Sequence, residues 1–89
     1  MINDKRLKSI VQDVAKGLAD YPTSIAVDVH NLNEDLYQII IYTHPDDLKM
    51  VIGKGGKNIN SLRTLVYAMV AKYRVRCYVA VEENLNRFN

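Results

Sequence analysis

The residues best suited to chemistry with a ligand lie in one stretch, Val51-Ile52-Gly53-Lys54-Gly55-Gly56-Lys57-Asn58-Ile59. Three of the four glycines in the 89-residue chain fall there within four positions. Glycine reaches backbone conformations closed to residues with a Cβ, and it lets a ligand approach the main chain closely. Lys54 and Lys57 place two full positive charges beside those glycines. A helical apolar pattern begins immediately after the loop. Its first N–H groups point outward, and the helix dipole adds partial positive charge, so the junction suits a phosphate. Val51, Ile52, Ile59 and Leu62 supply apolar surface on which bases can lie. A nucleotide-binding P-loop is a different pattern: it needs G-x-x-x-x-G-K-[ST] after a strand, and here the loop follows a helical segment and lacks that ending.

The charge distribution points the same way. The chain carries 12 Lys and Arg against 10 Asp and Glu, a formal net charge of only +2. Between Leu48 and Val81, however, there is no acidic residue. That stretch holds Lys49, Lys54, Lys57, Arg63, Lys72, Arg74 and Arg76, so it stands at +7 and the flanks at −5. Such asymmetry fits an anionic partner presented to one region. Arg63 lies on the polar side of the helix after the loop, with Asn60, Thr64 and Tyr67 at three- and four-residue spacing, where a guanidinium can reach a phosphate or stack on a planar ring.

Other reactive residue types form no constellation. His30 and His44 are isolated in sequence, with no cluster of metal ligands. The single cysteine, Cys77, permits no internal disulfide and reads as a small core hydrophobe. Asp46 and Asp47 suit the first turn of a helix. No nucleophile, base and orienting group occur together, so the chain reads as a non-enzyme without cofactor or metal.

The elements that must position the loop follow from periodicity. Leu7, Ile10, Val11, Val14 and Leu18 make one apolar helical stripe, capped by Asn3 or Asp4 and ended by Tyr21-Pro22. Ile25, Val27 and Val29 alternate as a strand, Asn31 to Asp35 reads as a hairpin loop, and Tyr37 to Thr43 is a second strand. A short helix starts at Pro45 and ends at Gly53. A long helix runs from about Lys57 to Tyr73, its stripe made of Ile59, Leu62, Leu65, Val66, Met69, Val70 and Tyr73. Val75 to Val81 is the last strand. The order α-β-β-α-α-β predicts an α+β, two-layer domain: a three-stranded mixed sheet with the helices on one face. Residues 1–83 read as one domain and residues 84–89 as a C-terminal tail. No apolar run suits membrane insertion or a signal peptide, and a cytoplasmic protein is expected.

I-G-x-x-G followed by an apolar residue, set between two helices and before a strand, resembles the KH-domain signature, whose GxxG loop clamps four nucleotides. Helix and strands ahead of the motif match the type II KH fold. Leu18-Ala19-Asp20-Tyr21-Pro22, His44-Pro45-Asp46-Asp47, Val51-Ile52-Gly53-Lys54 and Leu62-Arg63-Thr64-Leu65-Val66 are similar to the small bacterial KH proteins of the KhpA type, over about Leu7 to Glu82. The resemblance implies a cytosolic RNA-binding protein that forms a homodimer, or a heterodimer with a larger KH protein of the KhpB type, and that bears on cell division and cell shape.

The expected ligand is short single-stranded RNA. Ile52, Gly53, Lys54, Gly55, Gly56, Lys57, Ile59 and Arg63 are the expected contacts, with Ile41 as a further wall of the base groove. A role as post-transcriptional regulator or RNA chaperone follows. The rival readings are a protein-interaction module with a vestigial loop and a ribosome-assembly factor. Alternation also turns Ile40, Tyr42 and Tyr78 to the open side of the sheet, as a candidate surface for a protein partner or second copy.

Overall fold

The computed structural model describes residues 3–85. Helix α1 spans Asp4–Leu18, strand β1 Ala26–Asn33, strand β2 Leu36–Thr43, helix α2 Leu48–Ile52, helix α3 Lys57–Ala71 and strand β3 Arg76–Glu83. Asn3 caps α1: its side-chain oxygen accepts the Arg6 N–H at 3.1 Å, which satisfies one of the free amides of the first turn. Leu7, Val11 and Ala15 face inward, at the spacing of one helical face.

The sheet order is β1-β2-β3. β1 pairs with β2 antiparallel, and β2 with β3 parallel. The parallel connection carries α2 and α3 across one face, as parallel strands require a long crossover. Along β2, Tyr37, Ile39, Ile41 and Thr43 are buried under the helices, while Leu36, Gln38, Ile40 and Tyr42 face the open side. Leu7, Val11, Val27, Ile39, Leu62, Val66 and Val79 join one core. The molecule is thin, 35 × 28 × 17 Å along its principal axes, as one helix layer on one sheet must be. No helix among the described residues is long and apolar enough to cross a membrane.

Four local expectations change. Pairing in β1 continues through Asn31 to Asn33, with an irregularity between them, so the hairpin loop shrinks to Glu34-Asp35. An edge strand tolerates exposed polar side chains because its main-chain pairing, not burial, holds it; Asn33 then accepts the Asp35 N–H at 3.1 Å. Pro45–Asp47 forms a 3-10 turn ahead of α2. α3 stops at Ala71, and Leu65 and Tyr73 are exposed, so its buried stripe narrows to Ile59, Leu62, Val66 and Val70. Asn84, expected in the tail, is buried: its N–H donates to Thr43 O at 2.7 Å and its Nδ2 to Ser24 O at 3.0 Å. Residues 86–89 of the expected tail lie outside the described residues.

The largest departure concerns Asp47. Its side chain is 1% exposed. Its two carboxylate oxygens accept the N–H groups of Asp20 (3.0 Å) and Tyr21 (2.9 Å). It therefore ties the end of α1 to the start of α2, a long-range role beyond helix initiation. Beside it the Tyr21 and His44 rings stack at 4.1 Å between centroids, and His44 Nδ1 accepts the Asp46 N–H at 3.0 Å. Cys77 is buried as expected. Burial pushes its thiol pKa up, so it stays protonated and unreactive at neutral pH.

Candidate nucleic-acid interface

Three positive φ angles in four residues make the turn between α2 and α3. Gly53 sits at φ 80°, ψ 165°, Gly55 at φ 64°, ψ 20° and Gly56 at φ 79°, ψ 13°. Gly53 ends α2, its N–H donating to Lys49 O at 2.8 Å. Gly56 N–H then donates to Gly53 O at 3.0 Å, closing the loop. Asn58 braces the turn by donating from Nδ2 to Met50 O at 2.8 Å, which satisfies a carbonyl left free at the end of α2. Gly56 opens α3 without a side-chain cap, so nothing from a side chain shields the positive end of that helix. Lys54, Gly55 and Lys57 are exposed around it.

Next to the loop lies a groove of 340 Å³ lined by Ile52, Gly56, Ile59, Asn60, Arg63 and Val81. Its far wall is the free edge of β3. Arg76 N–H donates to Asp35 O, and Asn84 N–H, just past the strand, donates to Thr43 O. Those alternate residues turn their main-chain groups toward β2, so Cys77, Val79 and Val81 turn theirs outward. Arg63 uses that edge: its Nε donates to Val79 O and its Nη1 to Asn60 Oδ1, each at 3.0 Å. The guanidinium is thus fixed as part of the groove wall and presents a planar cation there.

The structure therefore gathers Ile52, Gly56, Ile59 and Arg63 in one groove and sets Gly53, Lys54, Gly55 and Lys57 at its mouth. Ile41 does not belong. It is fully buried in the central strand, because β2 has a strand on either side and helices above its inward face. Val81 takes that place. Alternation along β3 sets Val81 on the same inner face as Cys77 and Val79, but alternation alone does not show that β3 is the sheet edge.

The opposite face of the sheet is also ordered. Tyr78 is 59% exposed, and Ile40 and Tyr42 are half-buried. The register sets Arg76 beside Leu36, then Tyr78 beside Gln38 and His30, then Ala80 beside Ile40 and Asp28, and last Glu82 beside Tyr42 and Ala26. The Arg76 cation and the His30 ring thus lie toward one end of the face, and the Asp28 and Glu82 carboxylates toward the other.

Comparison with solved structures finds the same fold inside a larger protein. A crystal structure of an Aquifex aeolicus Era variant bound to GDP and AlF4 superposes with a TM-score of 0.67 at 17% identity, over 93% of this chain. Era in complex with MgGDPNP and nucleotides 1506–1542 of 16S ribosomal RNA superposes with a TM-score of 0.64 at 19% identity, over 99% of this chain. The chain spans about a third of each Era chain, 33% and 34%.

Closer relatives are small proteins. The chain is 37% identical over 70 residues to RNA-binding protein KhpA of Halalkalibacterium halodurans, covering 79% of this chain and 91% of that protein. It is 31% identical over 77 residues to RNA-binding protein KhpA of Oceanobacillus iheyensis, covering 84% and 99%. The family model for the KhpA/KhpB KH domain matches residues 8–81, which takes in α1 from its second turn, the glycine loop and β3 as far as Val81. With that span and the α-β-β-α-α-β order, the chain belongs to the KhpA/KhpB KH-domain family.

Proposed function

We propose that this chain binds short single-stranded RNA without strong sequence choice, as a post-transcriptional regulator or RNA chaperone in the cytoplasm. One observation carries the reading: an uncapped helix start and two exposed lysines open directly onto an apolar groove with a fixed guanidinium in its wall. Main-chain amides, Lys54 and Lys57 hold the phosphates. Ile52, Ile59 and Val81 carry bases, and the outward main-chain groups of β3 offer hydrogen bonds to base edges. The membership in a family whose relatives are named RNA-binding proteins supports it.

The test is a titration with short single-stranded RNA pools, followed by backbone amide shifts. Shifts at Gly53 to Ile59 are expected. The variant Lys54→Asp, Gly55→Asp should stay folded: nothing lies within 4 Å of a Cβ at Gly55, and its left-handed conformation is one that Asp tolerates. It inverts the charge at the loop and should weaken binding more than about tenfold at 50 mM salt. Wild-type protein that shows no loop shifts at millimolar RNA would move the search to protein partners or to ribosomal subunits.

The open sheet face supports pairing with a second copy, or with the KH domain of a larger relative. A two-fold axis in the interface, perpendicular to the strands, exchanges the two ends of the face. Arg76 then meets Glu82 of the partner, His30 meets Asp28, and the large Tyr78 meets the small Ala80, so the face is self-complementary in charge and shape. In sedimentation equilibrium, Arg76→Glu should lower the dimer fraction and Arg76→Glu, Glu82→Arg should restore it. Intact association in Ile40→Lys, Tyr78→Lys excludes this face.

A further inference from the structure

The glycine loop absorbs only part of the basic middle of the chain. Lys72 and Arg74 stand at the other end of α3, which is 15 residues or about 22 Å long. There residues from the start of α1 and the end of α3 line a cleft of 440 Å³. Arg6 and Lys72 line it, with Asn3, Ile10, Met69 and Tyr73. The Lys72 ammonium lies 5.1 Å from the centre of the exposed Tyr73 ring, which holds the cation at the rim. Among the described residues, Arg6, Lys72 and Arg74 have no carboxylate partner.

Arg74 follows Tyr73 in the chain and stands outside the cleft lining, as a further exposed cation at this end of α3. It is the one non-glycine residue with positive φ among those described, at 60°. That conformation costs a side-chain-bearing residue about 1 kcal/mol. The position thus suits glycine, and the chain holds an exposed arginine there instead.

We infer that the cleft between the start of α1 and the end of α3 is a second contact for single-stranded RNA, taking a phosphate on Arg6 and Lys72 and a base against Tyr73. This rests on RNA binding at the glycine loop, from which the strand continues along α3. A separation of 22 Å equals about six nucleotide steps at the 3.4 Å stacked spacing. Added to the four nucleotides held by the loop, the footprint reaches about ten.

The experiment compares oligouridylates of four and ten nucleotides, by fluorescence anisotropy, on wild-type protein, on Arg6→Glu, Lys72→Glu and on Arg74→Gly. A ten-nucleotide strand gains about sevenfold simply by offering seven four-nucleotide registers. Wild type should gain about tenfold beyond that through the tethered second contact. Arg6→Glu, Lys72→Glu should keep wild-type affinity for the four-nucleotide strand, lose the extra gain, and flatten the log-log salt slope for the ten-nucleotide strand by about 0.7, the share of one phosphate. Both positions are exposed, so the fold should persist. Arg74→Gly removes strain together with charge, so it should raise the melting temperature while cutting the ten-nucleotide gain. Equal length dependence in all three proteins overturns the inference. Shifts of Lys72 and Tyr73 amides with a poly-glutamate peptide and none with the ten-nucleotide strand also overturn it, assigning the cleft to a protein. Failure of wild type to bind even four nucleotides at the loop refutes the loop reading and, with it, this inference.

Discussion

Gly53→Ala is expected to destabilise the domain by about 2–4 kcal/mol and to abolish RNA binding at the loop, whereas Gly55→Ala, two residues on, should cost about 1 kcal/mol. The difference comes from what a Cβ would meet. At Gly53 it would lie 2.7 Å from both the Cγ and the backbone N of Asn58, and 2.9 Å from its Cβ. The backbone N belongs to the first turn of α3 and cannot yield without moving that helix. The Asn58 side chain cannot yield without releasing its bond to Met50 O. The backbone angles of Gly53, φ 80° and ψ 165°, also lie in a region essentially reserved for glycine. At Gly55 the left-handed conformation is milder and the space is open. In a domain of this size 2–4 kcal/mol corresponds to a melting temperature lower by roughly 10–25 °C, and to a clear fall in the urea midpoint. Equal midpoints for the two alanine variants would show that the loop relaxes freely and that its shape is not imposed by Gly53.

The contrast between those glycines was only half visible in the sequence. Their density announced a tight turn at a helix start, and the flanking Ile52 and Ile59 announced a groove beside it. Which glycine is indispensable depends on Asn58 folding back over Gly53, a contact between α2 and α3 that no local propensity encodes. The elements themselves were legible because the apolar periods are strong: 3.6 in α1 and α3, and 2 along β2. The hairpin loop is shorter than its composition suggests because Asn31 and Asn33 have turn-like chemistry, while an exposed edge strand asks little of its side chains. That Ile41 is buried in the central strand and Val81 lines the groove is hidden from the sequence for one reason. Alternation tells which face of a strand a residue occupies, but not whether its strand is central or at the edge.

Asp47 is the clearest case of a role fixed by tertiary structure, and its removal should have the largest effect on stability. Its residue type and position fit a helix start. The fold instead buries it and gives each carboxylate oxygen a main-chain amide 26 or 27 residues away in sequence. Hydrogen bonds to a charged acceptor contribute about 1.5–3 kcal/mol each. In Asp47→Ala the Asp20 and Tyr21 amides lose their acceptor, so a loss of about 3–5 kcal/mol is expected in urea unfolding. Asp47→Asn should fall between wild type and alanine. It keeps one acceptor oxygen, but its amide group turns a donor toward the second N–H. Hydrogen exchange locates the effect: the Asp20 and Tyr21 amides should lose protection first, and the Tyr21–His44 stack should loosen with them. α2 has only five residues and runs straight from Asp47 to Gly53. Slack at its start therefore reaches the glycine loop, and RNA affinity should fall along with stability even though Asp47 touches no ligand. If Asp47→Ala lowers stability but leaves RNA affinity unchanged, the loop geometry is set by Gly53 and Asn58 alone, and the clamp at Asp47 serves only the fold.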